Sequence, residues 1–318
     1  MGGPNRERQR GLALITVMLV VAIIATIASF LSLDQQVWLR QAQNLQDSAQ
    51  AEALRRGAID AAAALLDQDA KSNQVDNLTE PWARPLPPFA FGNGSVSIAI
   101  EDAQGRFNLN NLLANGKASQ VDMQMYRRLL AYRNLNPNLV DPLVDWMDAD
   151  SQARPGGAED PDYLAGDPPY RAANQPLSDV EELRLVRGYT PKVIAALSDL
   201  VVALPEQTPI NINTARPEVL GALFASMSLD QAKALAKDLA SSPLTNTSQL
   251  AGRAPGQNLQ PVKISVKTDY FLITVEPDLG RYHQRTITLL HRPGGNLQAS
   301  PVWRDRPAIV VAKSRTNG

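Results

Sequence analysis

No cysteine occurs in the 318 residues, and there are only two histidines, His283 and His291. A disulfide framework and a cysteine nucleophile are therefore excluded, and so is nearly every zinc site. The two histidines sit in a strand-like tail with no acidic neighbours at ligand spacing, and read as ordinary surface or edge-strand residues. Net charge is −1, so no global basic field recruits nucleic acid or anionic lipid. Neither a Ser-His arrangement nor a glycine-rich phosphate loop is present, which leaves no activated nucleophile, and the expectation is a protein that is not an enzyme. No proline occurs between Pro4 and Pro81, and charge is missing from Leu12 to Leu33.

That uncharged stretch of 22 residues follows Arg6, Arg8, Arg10 and Gly11. As a helix it crosses a hydrocarbon core of about 30 Å, and the basic leader predicts a cytoplasmic N-terminus with everything after Asp34 on the far side. Three readings compete: a cleaved secretory signal, a plain signal anchor, and a segment cut at its cytoplasmic edge. The run is too long for a secretory h-region, and Ala28 to Leu31 offers only a weak small-residue pattern. Beyond it, Trp38, Ala42, Leu45, Ala49, Leu54, Ala58, Ala61 and Leu65 recur at helical spacing, opposite Asp47, Glu52, Arg56 and Asp60. One helix of roughly 58 residues is predicted, half lipid-soluble and half amphipathic.

Polar and Pro/Gly-rich loops follow Asp69. Ser95 to Asp102 alternates as a strand, and GRFNLNNLL is expected to continue in extended form. KISVKTDYFLITVEP and RYHQRTITLLHR read as a closing hairpin turning at Glu276 to Arg281. The fold class is thus α+β: a long N-terminal helix on an antiparallel sheet, interrupted by a large helical insertion at 117–258. The remaining boundaries are 1–11 for the leader, 12–33 for the membrane half of the helix, 34–116 for its amphipathic half with the first strands, and 259–318 for the closing strands and tail.

From Asp145 to Glu182 there are ten acidic residues against Arg154 and Arg171. Such density opposes folding without a counter-cation, yet Trp146, Tyr163 and Leu164 argue for ordered packing. Oxygen-only ligands and a Gly156-Gly157 turn suit a hard cation of flexible coordination, which means calcium. The expected ligands are Asp148, Asp150, Glu159 and Asp160, with Asp145, Asn174 and Glu182 behind them. An EF-hand fails on its sixth position, which is Ala153, although Glu159 falls at the twelfth counting from Asp148. The plain alternative is a solvated acidic loop without metal. Paired carboxylates also serve glycoside hydrolysis, but no sugar-stacking platform is offered except Trp146.

The segment PININTARPEVLGALFASMSLDQAKALAKDLA resembles a helix-hairpin-helix unit of DNA-binding proteins, and SDVEELRLVRGYTPKVIAALSDL reads as a looser earlier copy. Phosphate-binding hairpins use glycine-rich turns, whereas these turns are RGYT and ASMS in acidic or neutral surroundings. Both read as packing units. A membrane-anchored periplasmic nucleic-acid-binding protein remains the alternative function.

RQRGLALITVMLVVAII resembles a type IV prepilin or pseudopilin leader. With EDAQGRFNLNNL, DWMDAD…GAED…YRAANQPLSDVEELRL and NINTARPEVL, nearly the whole chain resembles the minor pseudopilin K family (GspK) of bacterial type II secretion. The resemblance implies a pseudopilin fold with a calcium-binding helical insertion, cleavage after Gly11 by a prepilin peptidase, and N-methylation of Leu12. It implies a bacterial inner-membrane protein with its globular part in the periplasm, capping the pseudopilus tip with minor pseudopilins I and J and possibly H. The major pseudopilin and the inner-membrane assembly platform are implied as further partners. Most pilins begin their mature chain with Phe and carry Glu fifth, where it neutralises the terminal amine of the subunit ahead. Here those positions are Leu12 and Thr16, and a hydroxyl does not compensate a buried amine, which suits a subunit with none ahead of it.

Overall fold

The computed structural model describes residues 5–91, 94–278, 285–294 and 298–307, so His283 lies outside the described residues. A single helix, α1 (Asn5–Ser72), runs 68 residues without a break. Residues 14–46 of it are exposed throughout. Only from Ala51 onward does it gain a buried face, formed by Ala51, Arg55, Ala58, Ile59, Ala62 and Leu66 at three-to-four spacing. The stripe expected from the sequence lies elsewhere: Trp38 and Leu45 are 69% and 72% exposed, and of its members only Ala58 is buried. Alanine occurs on every side of this stretch, so hydropathy alone leaves the phase of the buried face undetermined.

In chain order, β1 (Phe89–Phe91) and β2 (Gly94–Asp102) precede an excursion over residues 103–269. The excursion holds β3 (Phe107–Asn108), β4 (Leu113–Ala114), β5 (Lys117–Ala118), α2 (Gln120–Tyr132), α3 (Val140–Met147), α4 (Asp160–Leu164), α5 (Pro191–Leu197) and β6 (Val201–Val202). It continues through β7 (Ile210–Asn211), α6 (Pro217–Ala222), α7 (Leu229–Ser241), α8 (Leu250–Arg253) and β8 (Ile264–Ser265). The chain then returns as β9 (Tyr270–Asp278), β10 (Thr286–His291) and β11 (Ser300–Pro307), giving an antiparallel sheet of order β1-β2-β9-β10-β11.

Strand alternation divides the sheet's two faces. Val96, Ile98, Ile100, Phe271, Ile273, Val275 and Leu290 pack with Trp82 against Ala58, Ile59, Ala62 and Leu66 of α1. On the other face Tyr270, Leu272 and Leu289 meet Val202 and Leu204 of the excursion. Burial raises the carboxyl of Asp102 to about 6 at the seam. There it accepts hydrogen bonds from Asn211 Nδ2 at 2.8 Å and Thr214 Oγ1 at 2.6 Å, tying the excursion to the end of β2.

Three expectations are corrected here. GRFNLNNLL is extended over Phe107–Asn108, winds into a 3-10 turn, Leu109–Leu112, and becomes extended again only at Leu113. KISVKTDYFLITVEP divides into β8, which pairs with β7 inside the excursion, and β9, which runs through Asp278 past the expected turn start. Moreover, β10 lies between β9 and β11, so His291 is not on an edge; its ring stacks on Tyr270 at 4.6 Å.

One hydrophobic cluster runs through the excursion from Phe107 to Val266, drawing in residues on both sides of 117–258. It is built from two copies of one unit. In each, a short strand pairs in parallel with a later one, Phe107 with Val201 and Ile210 with Ile264. In each, an asparagine two residues past the end of the first strand clamps the backbone of a leucine. Asn110 donates to Leu177 O at 2.9 Å and accepts from Leu177 N at 2.8 Å; Asn213 does the same with Leu244 at 3.0 and 2.9 Å. Glu182 and Gln249, five residues past the clamped leucines, accept from the backbone N–H of Ser178 and Thr245. The earlier copy therefore begins at FNLNN, and SDVEEL matches the later TNTSQL rather than the start of the second unit. The copies differ in one respect. In the second, Leu244 follows α7 almost directly, whereas in the first residues 148–176, the acidic segment, separate α3 from Leu177.

Replacing Asn110 or Asn213 by Ala strands buried backbone groups and is expected to lower stability by about 2–4 kcal/mol each. Exposed Asn138→Ala is expected to stay within about 0.5 kcal/mol, as read by denaturant titration.

Candidate metal centre

Helix α3 delivers Asp145 wholly buried, and ends at Asp148, whose N–H closes on Val144 O at 2.9 Å. The chain then turns at Gly156, where φ is +85°, and returns to Glu159 at the head of α4. Aromatic packing holds the two arms together: Trp146 meets Tyr163 edge-on at 5.1 Å, and Tyr163 lies 5.3 Å from Tyr170. Trp146 Nε1 in turn donates to Glu182 at 3.1 Å. At Gly157 a Cβ would stand 1.7 Å from Asp145 Oδ2, so only glycine lets the carboxylate lie against the returning strand.

Asp148, Asp150 and Glu159 converge, each placing one carboxylate oxygen within 4.8 Å of the others. Asp148 Oδ1 and Glu159 Oε1 are buried and have no hydrogen-bond partner among the described residues. Burial, reinforced by Asp145, Asp148 and Asp150, pushes the Glu159 carboxyl up to about 7. Burial also raises Asp148, against the pull of Arg154. Two orphaned buried oxygens facing one exposed carboxylate form an all-oxygen set that fits a hard divalent cation completed by water.

The structure leaves the other expected residues outside this group. Asp160 is engaged by the N–H of Ala172 at 2.9 Å and by Arg171 at 3.2 Å. Asn174 adopts a left-handed φ of +48° and bonds through its backbone N–H to Trp146 O. Glu182 is held by Trp146 and Ser178, and Asp145 by Arg154. Sequence reasoning missed Arg154, counted only as one of two basic residues, and Arg187, which bonds Asp162 and the carbonyls of Gly156 and Gly157. No spacing rule marks either, because both act across the turn.

A second acidic group, Asp69, Asp76 and Glu80, already has its cation. Arg292 bridges Asp69 and Asp76, while Trp82 and Asn77 satisfy Glu80, whose carboxyl burial raises to about 7. This is a joint between α1, the sheet and the excursion. The two helix-hairpin turns are also used internally: Ser228 caps α7 with Gln231, and Thr190 caps α5. The membrane-length part of α1 has a mean hydropathy of 2.8 in its most apolar window and none of that window buried. Thr16 lies on that exposed stretch, and Gly11 and Leu12 lie within the helix.

Family models described as type II secretion system protein K match residues 105–206 and 210–269, close to the limits of the two repeated units. The chain is 36% identical over 309 residues to type II secretion system protein K of Pseudomonas aeruginosa, covering 90% of each. It is 33% identical to that of Klebsiella pneumoniae, covering 88% of this chain and 92% of the relative. Among solved structures it is similar to a chain of the GspK-GspI-GspJ complex from enterotoxigenic Escherichia coli. That match has a TM-score of 0.69 and 26% identity, covering 83% of this chain and 98% of the other.

Gly157→Ala is expected to drive Asp145 from its place and lower stability by about 2 kcal/mol or more, with loss of the near-ultraviolet dichroism of the Trp146–Tyr163 pair. Gly252→Ala, in open space, is expected to leave both unchanged.

Proposed function

We infer the role of this chain from the fact that it belongs to the type II secretion system protein K family: it is a minor pseudopilin, a structural component of that secretion system. A single apolar helix anchors a globular part. The membrane is the bacterial inner membrane, the N-terminus cytoplasmic and the globular part periplasmic. Prepilin peptidase cuts between Gly11 and Leu12, and Leu12 is methylated. The mature chain assembles with minor pseudopilins I and J, and with H where present, at the tip of a pseudopilus whose shaft is the major pseudopilin, raised on the inner-membrane platform. Its work is assembly rather than catalysis.

One observation carries this reading. Residues 14–46 of α1 are exposed among the described residues, although Leu14 to Leu33 is apolar and Trp38 and Leu45 stand exposed beyond it. Lipid suits the first part and the helices of other pseudopilins the second. Thr16 in place of a carboxylate, and the bulk of the excursion, both suit a place with no subunit ahead.

Calcium belongs to the same reading. Asp148, Asp150 and Glu159 would hold it, with Asp145 and Asp160 bordering, and the ion would supply counter-charge to the two buried carboxylates and the exposed one. Support comes from the two orphaned oxygens. The ion's role is to stabilise the acidic segment, not to activate a substrate.

Two outcomes are expected. Intact-mass analysis of membrane-extracted protein should give a chain beginning at methylated Leu12; a mature chain beginning at Met1 or after Ala28 contradicts pseudopilin processing. Calcium at about 100 times its dissociation constant should add about 2.7 kcal/mol to stability. Chelator should therefore lower the melting temperature, and Asp148→Ala or Glu159→Ala should blunt the response; identical melting in calcium and chelator leaves a loop without metal.

A further inference from the structure

The acidic segment carries a cation of its own. Nη1 of Arg154 enters between Asp145 Oδ1 and Asp148 Oδ2, 2.6 Å from the latter. The backbone N–H of Arg154 separately donates to Asp145 Oδ2 at 3.0 Å. Both carboxylates are buried, whereas the arginine side chain is 23% exposed. The other oxygen of the same Asp148 carboxylate, Oδ1, has no hydrogen-bond partner among the described residues, and neither has Oε1 of Glu159; the carboxylates of Asp148, Asp150 and Glu159 bring one oxygen each within 4.8 Å of the others. Two buried carboxylates therefore share one guanidinium, and that guanidinium occupies one oxygen of the Asp148 carboxylate while the other oxygen has no hydrogen-bond partner among the described residues.

We propose that Arg154 is a built-in counter-ion that competes with a divalent cation for the Asp145–Asp148 pair. It holds the carboxylates together in the metal-free protein, and calcium entering between Asp148, Asp150 and Glu159 displaces it toward solvent. This rests on the calcium reading above.

Three features favour displacement over coexistence. Two cations against one carboxylate in a buried setting repel strongly, since little solvent lies between them. Arg154 lies on the segment between Asp148 and the Gly156-Gly157 turn, and its partly exposed side chain leaves by rotation alone. Its backbone N–H bond to Asp145 survives that rotation, so Asp145 stays tethered after the guanidinium has gone. Arg187 is no substitute, because it is spent on Asp162 and the turn carbonyls. A compact divalent ion outcompetes the guanidinium by gathering three carboxylates at once, whereas a monovalent ion brings no more charge than the arginine it would replace.

The test uses full-length protein in detergent, purified in calcium, with affinity read by competition against a calibrated chelator and stability by melting with and without calcium. Arg154→Gln is expected to tighten calcium binding about tenfold or more, equivalent to about 1.4 kcal/mol, while lowering the metal-free melting temperature. Arg154→Lys keeps a competing charge and is expected to stay within about threefold of the unsubstituted protein. Unchanged or weaker binding by Arg154→Gln, with binding intact in the unsubstituted protein, overturns the competition and leaves the calcium reading standing. Absence of binding in both overturns the two together. Failure of Arg154→Gln to fold even in calcium makes the arginine plain structure and overturns the competition as well.

Discussion

Residues 14–46 of α1 are exposed along their whole length, and the rest of the architecture follows from where that stretch must go. An uncharged run from Leu12 to Leu33 is stable as a helix in lipid, where all its backbone groups are satisfied within the helix. From Leu33 the same helix continues to Ser72, so at 1.5 Å per residue its end stands about 58 Å beyond the apolar run. The sheet grips only about the last four turns, through Ala58, Ile59, Ala62 and Leu66, and the excursion is fixed to the sheet through Asp102, Asn211 and Thr214. The bulk of the protein is thereby held at the far end of a rod, with the intervening surface free for other helices.

Charge is the second constraint. The repeated unit folds without any acidic segment, as its second copy demonstrates, so residues 148–176 are an addition to a scaffold already closed by the Asn110 clamp on Leu177. A segment added at that point inherits rigid ends: α3 on one side and the clamped leucine on the other. Rigid ends are what allow buried carboxylates to be brought together despite their repulsion, with Arg154 as internal counter-charge and Trp146, Tyr163 and Tyr170 as the apolar support.

What the sequence discloses depends on whether the signal is local. The apolar run, the alternation of Ser95 to Asp102 and the acidic density are visible residue by residue, and the convergence of Asp148, Asp150 and Glu159 is legible in their placement on either side of the Gly156-Gly157 turn. The phase of α1 was not legible, because alanine on every side gives hydropathy no preferred direction. The asparagine clamps were not either: Asn110 reaches 67 residues ahead to Leu177, and side-chain-to-backbone bonds leave no periodicity. Asp160 looked equivalent to Glu159 by type and position, and only the fold shows it turned toward Arg171 and Ala172. The split of KISVKTDYFLITVEP between two sheets is tertiary for the same reason, since β8 pairs with β7 and β9 with β2.

The proposed position of this chain is the tip of the filament, above the shaft and not within it. The most direct measurement is electron microscopy of assembled pseudopili labelled with a gold-conjugated antibody to residues 148–176. Label at a single end of each filament is the predicted result. Label spread along the shaft at the density of the major subunit would contradict the account.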